Sequence, residues 1–247
     1  MESSEKRENM RLLDDFRTQN KCGDCGLRGS NFFCNFSDQS LQHFQAIKIT
    51  NAYPKGAHLF VEGQPTDGIF MLCRGRVKLT THSRNGKSLI LRIAVPGEVL
   101  GLSAAISGSV SESTAEVIEP CQVNFVLKSE FRRFLEQNAD AGMNALHQMS
   151  LQYKTAHMQI RSLGLSACVA DKLATLLLEW SKNEPSNNGS VHLRNTFSHE
   201  EIAEMIGTSR ETVTRVLKDF RVRDLISIKG PNLYIRDTRN LEAAIGS

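Results

Sequence analysis

Two helix starts lie only ten residues apart in the C-terminal part of the chain, and this spacing constrains the fold more than any other feature. Each start has a Ser or Thr followed three residues later by a Glu, which is the spacing of a capping box: Ser198 with Glu201, and Thr208 with Glu211. Gly207 lies between the two predicted helices, where a glycine lets the backbone turn with a positive φ. The stretch therefore predicts a helix-turn-helix.

The second predicted helix carries side chains suited to reading DNA. From the first turns of a helix in the major groove, an arginine can hold a guanine through two hydrogen bonds and a glutamate can accept one from cytosine. Between Thr208 and Arg223 five basic residues stand against two acidic ones, an excess that suits a phosphate backbone. The alternative is a surface helical hairpin whose charges are merely solvated. The predicted DNA contacts are Thr208, Ser209, Arg210, Glu211, Thr214, Arg215 and Lys218.

The start of this helix also resembles that of a known family. Ser-Arg-Glu-Thr-Val-x-Arg at Ser209–Arg215 resembles the recognition helix of the cyclic-AMP receptor protein and fumarate and nitrate reduction regulator (CRP/FNR) family. Two predicted strands follow, Leu225–Ile228 and Leu233–Ile235, which form the wing of a winged helix. The resemblance implies a transcriptional regulator that binds palindromic DNA with TGTGA-like half-sites and contacts RNA polymerase.

The middle of the chain is typical of a small antiparallel β-roll. Between Ile47 and Leu127, short alternating segments are separated by glycine turns, and Asn85-Gly86 is the strongest hairpin signal. The predicted strands are Ile69–Leu72, Val77–Thr81 and Leu89–Val95. Such spacing predicts a jelly roll or barrel. Gly68–Val77 and Pro96–Gly101 resemble the cyclic-nucleotide-binding-like roll of the same family.

The roll lacks the residues that the family uses to hold a cyclic nucleotide. A pocket for this ligand needs an arginine for the phosphate and a glutamate for the ribose. In the family's pattern the glutamate directly follows the glycine equivalent to Gly101, but Leu102 stands there, and 108–115 contains no arginine. The sequence therefore argues against cyclic-nucleotide binding, and Gly101–Ile106 resembles the FNR branch of the family.

Three of the six cysteines lie close together near the N-terminus, at Cys22, Cys25 and Cys34. Thiolates at C-x2-C spacing can share one metal centre, because the short loop between them folds back on itself. The family resemblance implies a [4Fe–4S] cluster held by these three cysteines and by Cys121 in the β-domain. Two alternatives stay open: a zinc site, and a set of unligated cysteines in which Cys34 and Cys121 are buried as small apolar side chains.

After a short predicted helix at Lys128–Gln137, a long helix is predicted at Ala139–Leu163. Small or apolar residues recur along it at alternating steps of three and four, which is a heptad pattern and predicts a partner helix. A two-fold dimer would place two recognition helices roughly 34 Å apart, one turn of DNA. The alternative is packing within the chain. The predicted dimer seam, as it is called below, consists of Leu146, Met149, Tyr153, Ala156, Ile160 and Leu163.

Length and charge limit the remaining possibilities. The 247 residues can hold two domains, and the net charge of +3 excludes a basic tail. No apolar run is long enough for a membrane span, and no apolar segment of a secretory signal follows the N-terminus, so we expect a cytoplasmic protein with reduced thiols. No HExxH, GxSxG or P-loop motif occurs, and we expect no enzyme activity.

These observations together predict an α+β fold in four segments. Residues 1–40 carry the cysteine triple, 41–137 form the β-roll sensor, 138–164 form the dimerisation helix, and 165–247 form the winged helix-turn-helix. We expect DNA binding to be gated by an oxygen- or redox-sensitive cluster. The alternative is gating by a small organic effector or a cyclic nucleotide in the roll, without a metal.

Overall fold

The computed structural model describes residues 22–23, 25–27, 33–166, 168–182, 184–187, 190–193, 197–230 and 232–245. The chain divides into an N-terminal unit that ends at Lys154 and a C-terminal unit that begins at Thr155. Helices and strands are mixed in both units, in agreement with the predicted α+β class. Among the described residues, no helix is long and apolar enough to cross a membrane.

An antiparallel sheet dominates the first unit. Its elements in chain order are α1 (Asp38–Ile47), β1 (Ile49–Tyr53), β2 (His58–Phe60), β3 (Gly68–His82), β4 (Ser88–Ala94), β5 (Val99–Leu100), α2 (Leu102–Ser107), β6 (Thr114–Leu127), α3 (Lys128–Gln137) and the first part of α4 (Ala139–Leu165), which continues into the second unit. The strand order is β1-β6-β3-β4, with β2 also paired to β6 and β5 to β3. The α3 helix has the bounds predicted from the sequence, and α4 extends to Leu165, two residues past the predicted end.

The two long strands β3 and β6 support a different core on each face. Side chains alternate between the faces of a strand, so neighbouring residues enter different cores. Leu72, Val77 and Val123 pack in one apolar cluster, whereas Met71 and Val126 pack in the other. The second cluster also holds five phenylalanines, whose ring centroids lie 5.1 to 6.5 Å apart in the contacting pairs: Phe33, Phe36, Phe44, Phe131 and Phe134.

The prediction of two separate strands in the β3 region was wrong. The segments Ile69–Leu72 and Val77–Thr81, predicted as separate strands, belong to one strand of 15 residues. Gly75 has φ +84° but does not end the strand, because irregular register steps on both sides of it absorb the bend. The predicted hairpin to β4 is confirmed, and there the N–H of Gly86 donates to the carbonyl of Ser83.

The second unit is built from short helices and a four-stranded sheet. Its elements are α5 (Val169–Ser181), β7 (Ser186–Asn187), β8 (Ser190–Leu193), α6 (His199–Ile206), α7 (Arg210–Val222), β9 (Ile226–Lys229), β10 (Asn232–Ile235) and α8 (Thr238–Ala243). The strand order is β7-β8-β10-β9. Strands β9 and β10 are the predicted wing, and Gly230 in their turn has φ +59°. Strand β8 was not predicted.

Candidate functional site

The turn between α6 and α7 is built by the predicted cap and glycine. The Ser198 hydroxyl accepts from the N–H of Glu201 at 3.2 Å, and the Glu201 carboxylate accepts from the N–H of Ser198 at 2.8 Å, so the first capping box is confirmed. Gly207 has φ +65° and ends α6. A Cβ at Gly207 would stand 3.4 Å from Leu163 Cδ2, so a side chain there would be both strained and tightly packed.

The second helix begins one residue later than the sequence predicted. Ser209, rather than Thr208, is the N-cap of α7, and its hydroxyl accepts from the N–H of Thr212 at 3.3 Å. The predicted capping box of Thr208 with Glu211 was wrong. Thr208 instead belongs to the end of α6, which its N–H closes by donating to the carbonyl of Ala203 at 3.0 Å.

One face of α7 is exposed and the other is buried. Val213, Leu217 and Phe220 are buried in the C-terminal unit. The polar residues predicted to contact DNA project from the exposed face, whereas Thr208 is half-buried. The exposed members are Ser209, Arg210, Glu211, Thr214, Arg215 and Lys218. The structure thus brings the predicted contact residues together on one surface of a helix, as entry into a major groove requires.

Two of these side chains have internal partners. A hydrogen bond from its own backbone N–H, another from the Ser209 hydroxyl, and the charge of Arg210 together lower the pKa of Glu211, so this carboxylate remains an acceptor. The Thr214 hydroxyl donates to the carbonyl of Arg210 at 2.9 Å and lies 2.8 Å from Nδ1 of His199. Because the hydroxyl proton is used on the carbonyl, the imidazole is the donor to Thr214. Sequence reasoning missed His199, since nothing local links the first helix to Thr214.

The predicted dimer seam is largely exposed on α4. Leu146 is 62% exposed, Tyr153 67% and Ile160 67%, whereas Leu163 is half-buried. Large apolar side chains with such exposure along one stripe of a helix are typical of an interaction surface. The N-terminal turn of this helix is anchored by Asp140, whose carboxylate accepts from the Ser40 hydroxyl at 2.6 Å and from the N–H of Ser37 at 2.8 Å.

A second candidate site gathers cysteines at the edge of the phenylalanine-rich core. Cys22, Cys34 and Cys73 all pack against this core. Burial, together with charge repulsion from the neighbouring Cys22, Cys34 and Cys25, raises the pKa of Cys73 to about 12. No local pattern in the sequence pointed to Cys73, because its approach to Cys22 depends on the pairing of distant strands.

The structure does not bring Cys121 to the other predicted ligands. Its thiol lies in the opposite core of the sheet, where it donates to the carbonyl of Glu119 at 3.0 Å and lies 3.5 Å from the carbonyl of Arg76. A Cβ at Gly75 would stand 2.7 Å from Cys121 Sγ, so the sulfur fills the space beside this glycine. Burial raises the pKa of Cys121 to about 12. Its position is that of a small buried side chain, an alternative that the sequence had left open.

The thiols of these cysteines are suitable ligands for a thiophilic metal, although their sulfurs are not arranged around a common point. Within the described part of the chain, no three His, Cys, Asp or Glu side chains are arranged to hold a metal ion. Cys22, Cys34 and Cys73, with Cys25 three residues after Cys22, nevertheless supply the thiol donors that iron–sulfur clusters and structural zinc sites use.

Family models match both units of the chain. A cyclic nucleotide-binding domain matches residues 50–138, and a Crp-like helix-turn-helix domain matches residues 171–244. The chain belongs to the CRP/FNR family of transcriptional regulators. Regulators of this family bind DNA and are typically dimeric.

Relatives of this CRP/FNR-family regulator match most of its length and share its fold. It is 25% identical over 203 residues to the cAMP-activated global transcriptional regulator CRP of Pasteurella multocida, covering 82% of this chain and 97% of that protein. It resembles the structure of FixK2 from Bradyrhizobium japonicum with a TM-score of 0.70 and 20% identity, covering 81% of this chain and 98% of the other. For a CooA mutant from Carboxydothermus hydrogenoformans the TM-score is 0.71 and the identity 19%, with 85% and 92% covered.

Two positions of the roll bear on cyclic-nucleotide binding by this regulator. Gly101 has φ +77°, and the Leu102 side chain that follows it is only 1% exposed. Glu112 is the one charged residue of the stretch 108–115, and it accepts from the Ser103 hydroxyl at 3.1 Å. A carboxylate there repels a phosphate rather than binding it.

Proposed function

We propose that this regulator binds palindromic DNA as a homodimer and reads TGTGA-like half-sites with the exposed face of α7. Arg210, Glu211 and Arg215 contact base edges, while Ser209 and Lys218 contact phosphates. The observation that carries the proposal is the joint exposure of these side chains on a helix whose opposite face is buried. The dimer forms through the exposed seam of α4. RNA polymerase is the protein partner of the DNA-bound dimer.

A binding titration tests this part of the proposal. A duplex with two inverted TGTGA-like half-sites should bind at least about 1000-fold more tightly than a scrambled duplex at the same salt concentration. Equal affinity for both duplexes, with the same salt dependence, would reduce the protein to a non-specific binder of phosphate backbones.

We further propose that a metal centre held by the N-terminal cysteines gates DNA binding. The buried amide of Asn124 contacts the sulfurs of both Cys22 and Cys73, and Cys34 lies in the same core, which supports a metal rather than isolated thiols. When bound, an iron–sulfur cluster would supply sensitivity to oxygen, because exposure to oxygen destroys such clusters. Ligation would tie the N-terminal segment to the sheet that supports α4.

Anaerobic purification tests the gating. The protein should contain iron and sulfide, and it should dimerise more tightly and bind DNA better than the aerated form. If anaerobic protein contains no metal and binds DNA with the same affinity as the aerated form, the proposed metal gating is wrong. In that case calorimetry with organic effectors would test the second candidate, for which an open cleft of about 630 Å³ beside Lys128 and Arg132 offers a place.

A further inference from the structure

Cys73 occupies an irregular position in β3. Leu72 pairs with Val123 and Arg74 pairs with Gln122, so two steps along β3 match one step along β6. Cys73 is therefore the extra residue of a β-bulge. Bulges redirect a side chain and are common beside functional sites. Here the Cys73 side chain faces the core against which Cys22 also packs.

Asn124 connects the sulfurs of these two cysteines. Its amide Nδ2 donates to Cys73 Sγ at 3.2 Å and lies 3.8 Å from Cys22 Sγ. Asn124 is 3% exposed, so its hydrogen-bonding groups need partners inside the protein. The two sulfurs provide the acceptors for this N–H₂ group.

The orientation of the Asn124 amide is fixed by its other end. Lys48 Nζ donates to Asn124 Oδ1 at 3.3 Å, and the Thr50 hydroxyl donates to the same oxygen at 2.7 Å. Because an ammonium group can only donate, the oxygen must face Lys48 and the N–H₂ group must face the sulfurs. The strand pairing supports the arrangement, since Thr50 is the direct partner of Asn124 across β1 and β6.

The remaining two cysteines of the triple lie close to this pair. Cys25 follows Cys22 in a turn in which its N–H donates to the Cys22 carbonyl at 3.4 Å. Cys34 is buried in the same core, and its thiol lies 3.8 Å from the carbonyl of Leu27. Cys121, in contrast, faces the other side of the sheet.

We propose that Cys73, and not Cys121, is the fourth thiolate of the metal centre, and that Asn124 donates hydrogen bonds to two of the ligand sulfurs. The inference rests on the metal gating proposed above. Each ligand thiol gives its proton to solvent as its sulfur binds the metal. The donor set suits either an iron–sulfur cluster or Zn²⁺, and the metal analysis below separates the two. The N–H₂ group of Asn124 and the charge of Lys48 offset the negative charge of the thiolates.

Metal analysis of matched cysteine variants tests the assignment. Full-length protein is purified anaerobically as wild type, Cys73→Ser, Cys73→Ala and Cys121→Ser, and iron, acid-labile sulfide and zinc are measured per chain. Wild type and Cys121→Ser should hold equal amounts of metal, and both Cys73 variants should hold at least about tenfold less at the same free metal concentration. Circular dichroism checks that the Cys73 variants are folded.

The outcomes separate this inference from the proposal on which it rests. Metal in wild type that survives in folded Cys73 variants, or that is lost from Cys121→Ser instead, overturns the assignment of Cys73 alone. Wild type without metal overturns the gating as well. Iron with sulfide identifies a cluster, and zinc without sulfide identifies a mononuclear site.

The midpoint potential of the bound cluster tests the role of Asn124 separately. In the iron–sulfur case, Asn124→Leu removes two hydrogen-bond donors directed at the ligand sulfurs, so the midpoint potential of the bound cluster should become more negative. Asn138→Leu, which changes another buried asparagine of the same unit, should leave the potential unchanged. An unchanged potential in Asn124→Leu would leave Asn124 as a strand-pairing residue without a role at the metal.

Discussion

Arg210 is the residue on which sequence reading by this regulator depends most. It is exposed at the first position of α7, directly after the Ser209 cap. We expect Arg210→Ala to cost about 1–3 kcal/mol of binding free energy for the best duplex and to relax the preference at one base position. Titration of duplexes that differ at single bases measures both effects.

Lys218 provides the matched control for Arg210. It lies two turns further along the same exposed face, where a phosphate is the expected partner. Lys218→Ala should therefore weaken all duplexes by a similar factor and reduce the salt slope by about one. If Arg210→Ala behaves in the same way, Arg210 also contacts the backbone and the proposed base reading is lost.

Features of the site that depend on residues close together in the sequence could be predicted. Features that depend on contacts between distant residues could not. Ser198 with Glu201 is a capping box because both partners lie within one turn of helix. Cys73 carries no such local signal, since its position beside Cys22 depends on a bulge in β3 and on pairing with β6. Cys121 was expected at the cluster because the family resemblance implied it. Strand alternation instead directs its side chain into the other core.

At the scale of elements, the turn between α6 and α7 makes the helix-turn-helix sensitive to Gly207. Because Gly207 has φ +65°, we expect Gly207→Ala to destabilise the protein by about 1–2 kcal/mol. Gly164→Ala is the matched control. It lies in α4 with open space around its Cβ position, so this change should stabilise the protein by roughly 0.5–1 kcal/mol. Urea denaturation of both variants gives the comparison, and a loss of stability in both would contradict it.

The exposed seam of α4 predicts the effect of charge on dimerisation. Ile160 lies on the seam, so Ile160→Glu would bury an unpaired carboxylate in the dimer and should weaken dimerisation on the order of 100-fold. Met158, which is 46% exposed, lies on the opposite side of the heptad, and Met158→Glu should leave the dimer intact. Sedimentation equilibrium measures both constants. Equal dissociation of the two variants would show that the seam is not the interface.

Helices and strands could be predicted where their sequence patterns extend over only a few residues. The α3 helix and the β3–β4 hairpin match their sequence patterns, because helix periodicity and turn residues act over a few positions. The continuity of β3 through Gly75 was missed, because glycine usually marks a turn, and only the pairing with β6 shows that the strand continues. The late start of α7 was missed because the chain around Thr208 offers two adjacent capping side chains.

At the scale of the whole molecule, the proposed gating means that DNA affinity should depend on whether the metal is bound. A ligand shifts an equilibrium only by its differential affinity for the two states, so metal loss should reduce operator affinity and dimer stability together. Removing the metal with a chelator, in protein and duplex held at fixed concentrations, should lower both quantities, and restoring it anaerobically should recover them. A chelator that strips the metal without changing either quantity would make the centre structural.

The most direct test of the central claim is selection of duplexes from a random DNA pool by the anaerobic full-length protein. Two symmetry-related α7 helices predict an inverted repeat whose half-sites are TGTGA-like and have centres about one helical turn apart. Arg210→Ala should lose the preference at one symmetric pair of positions. A selected pool without a consensus, or with a single unrepeated half-site, would contradict the dimeric reading of DNA by this regulator.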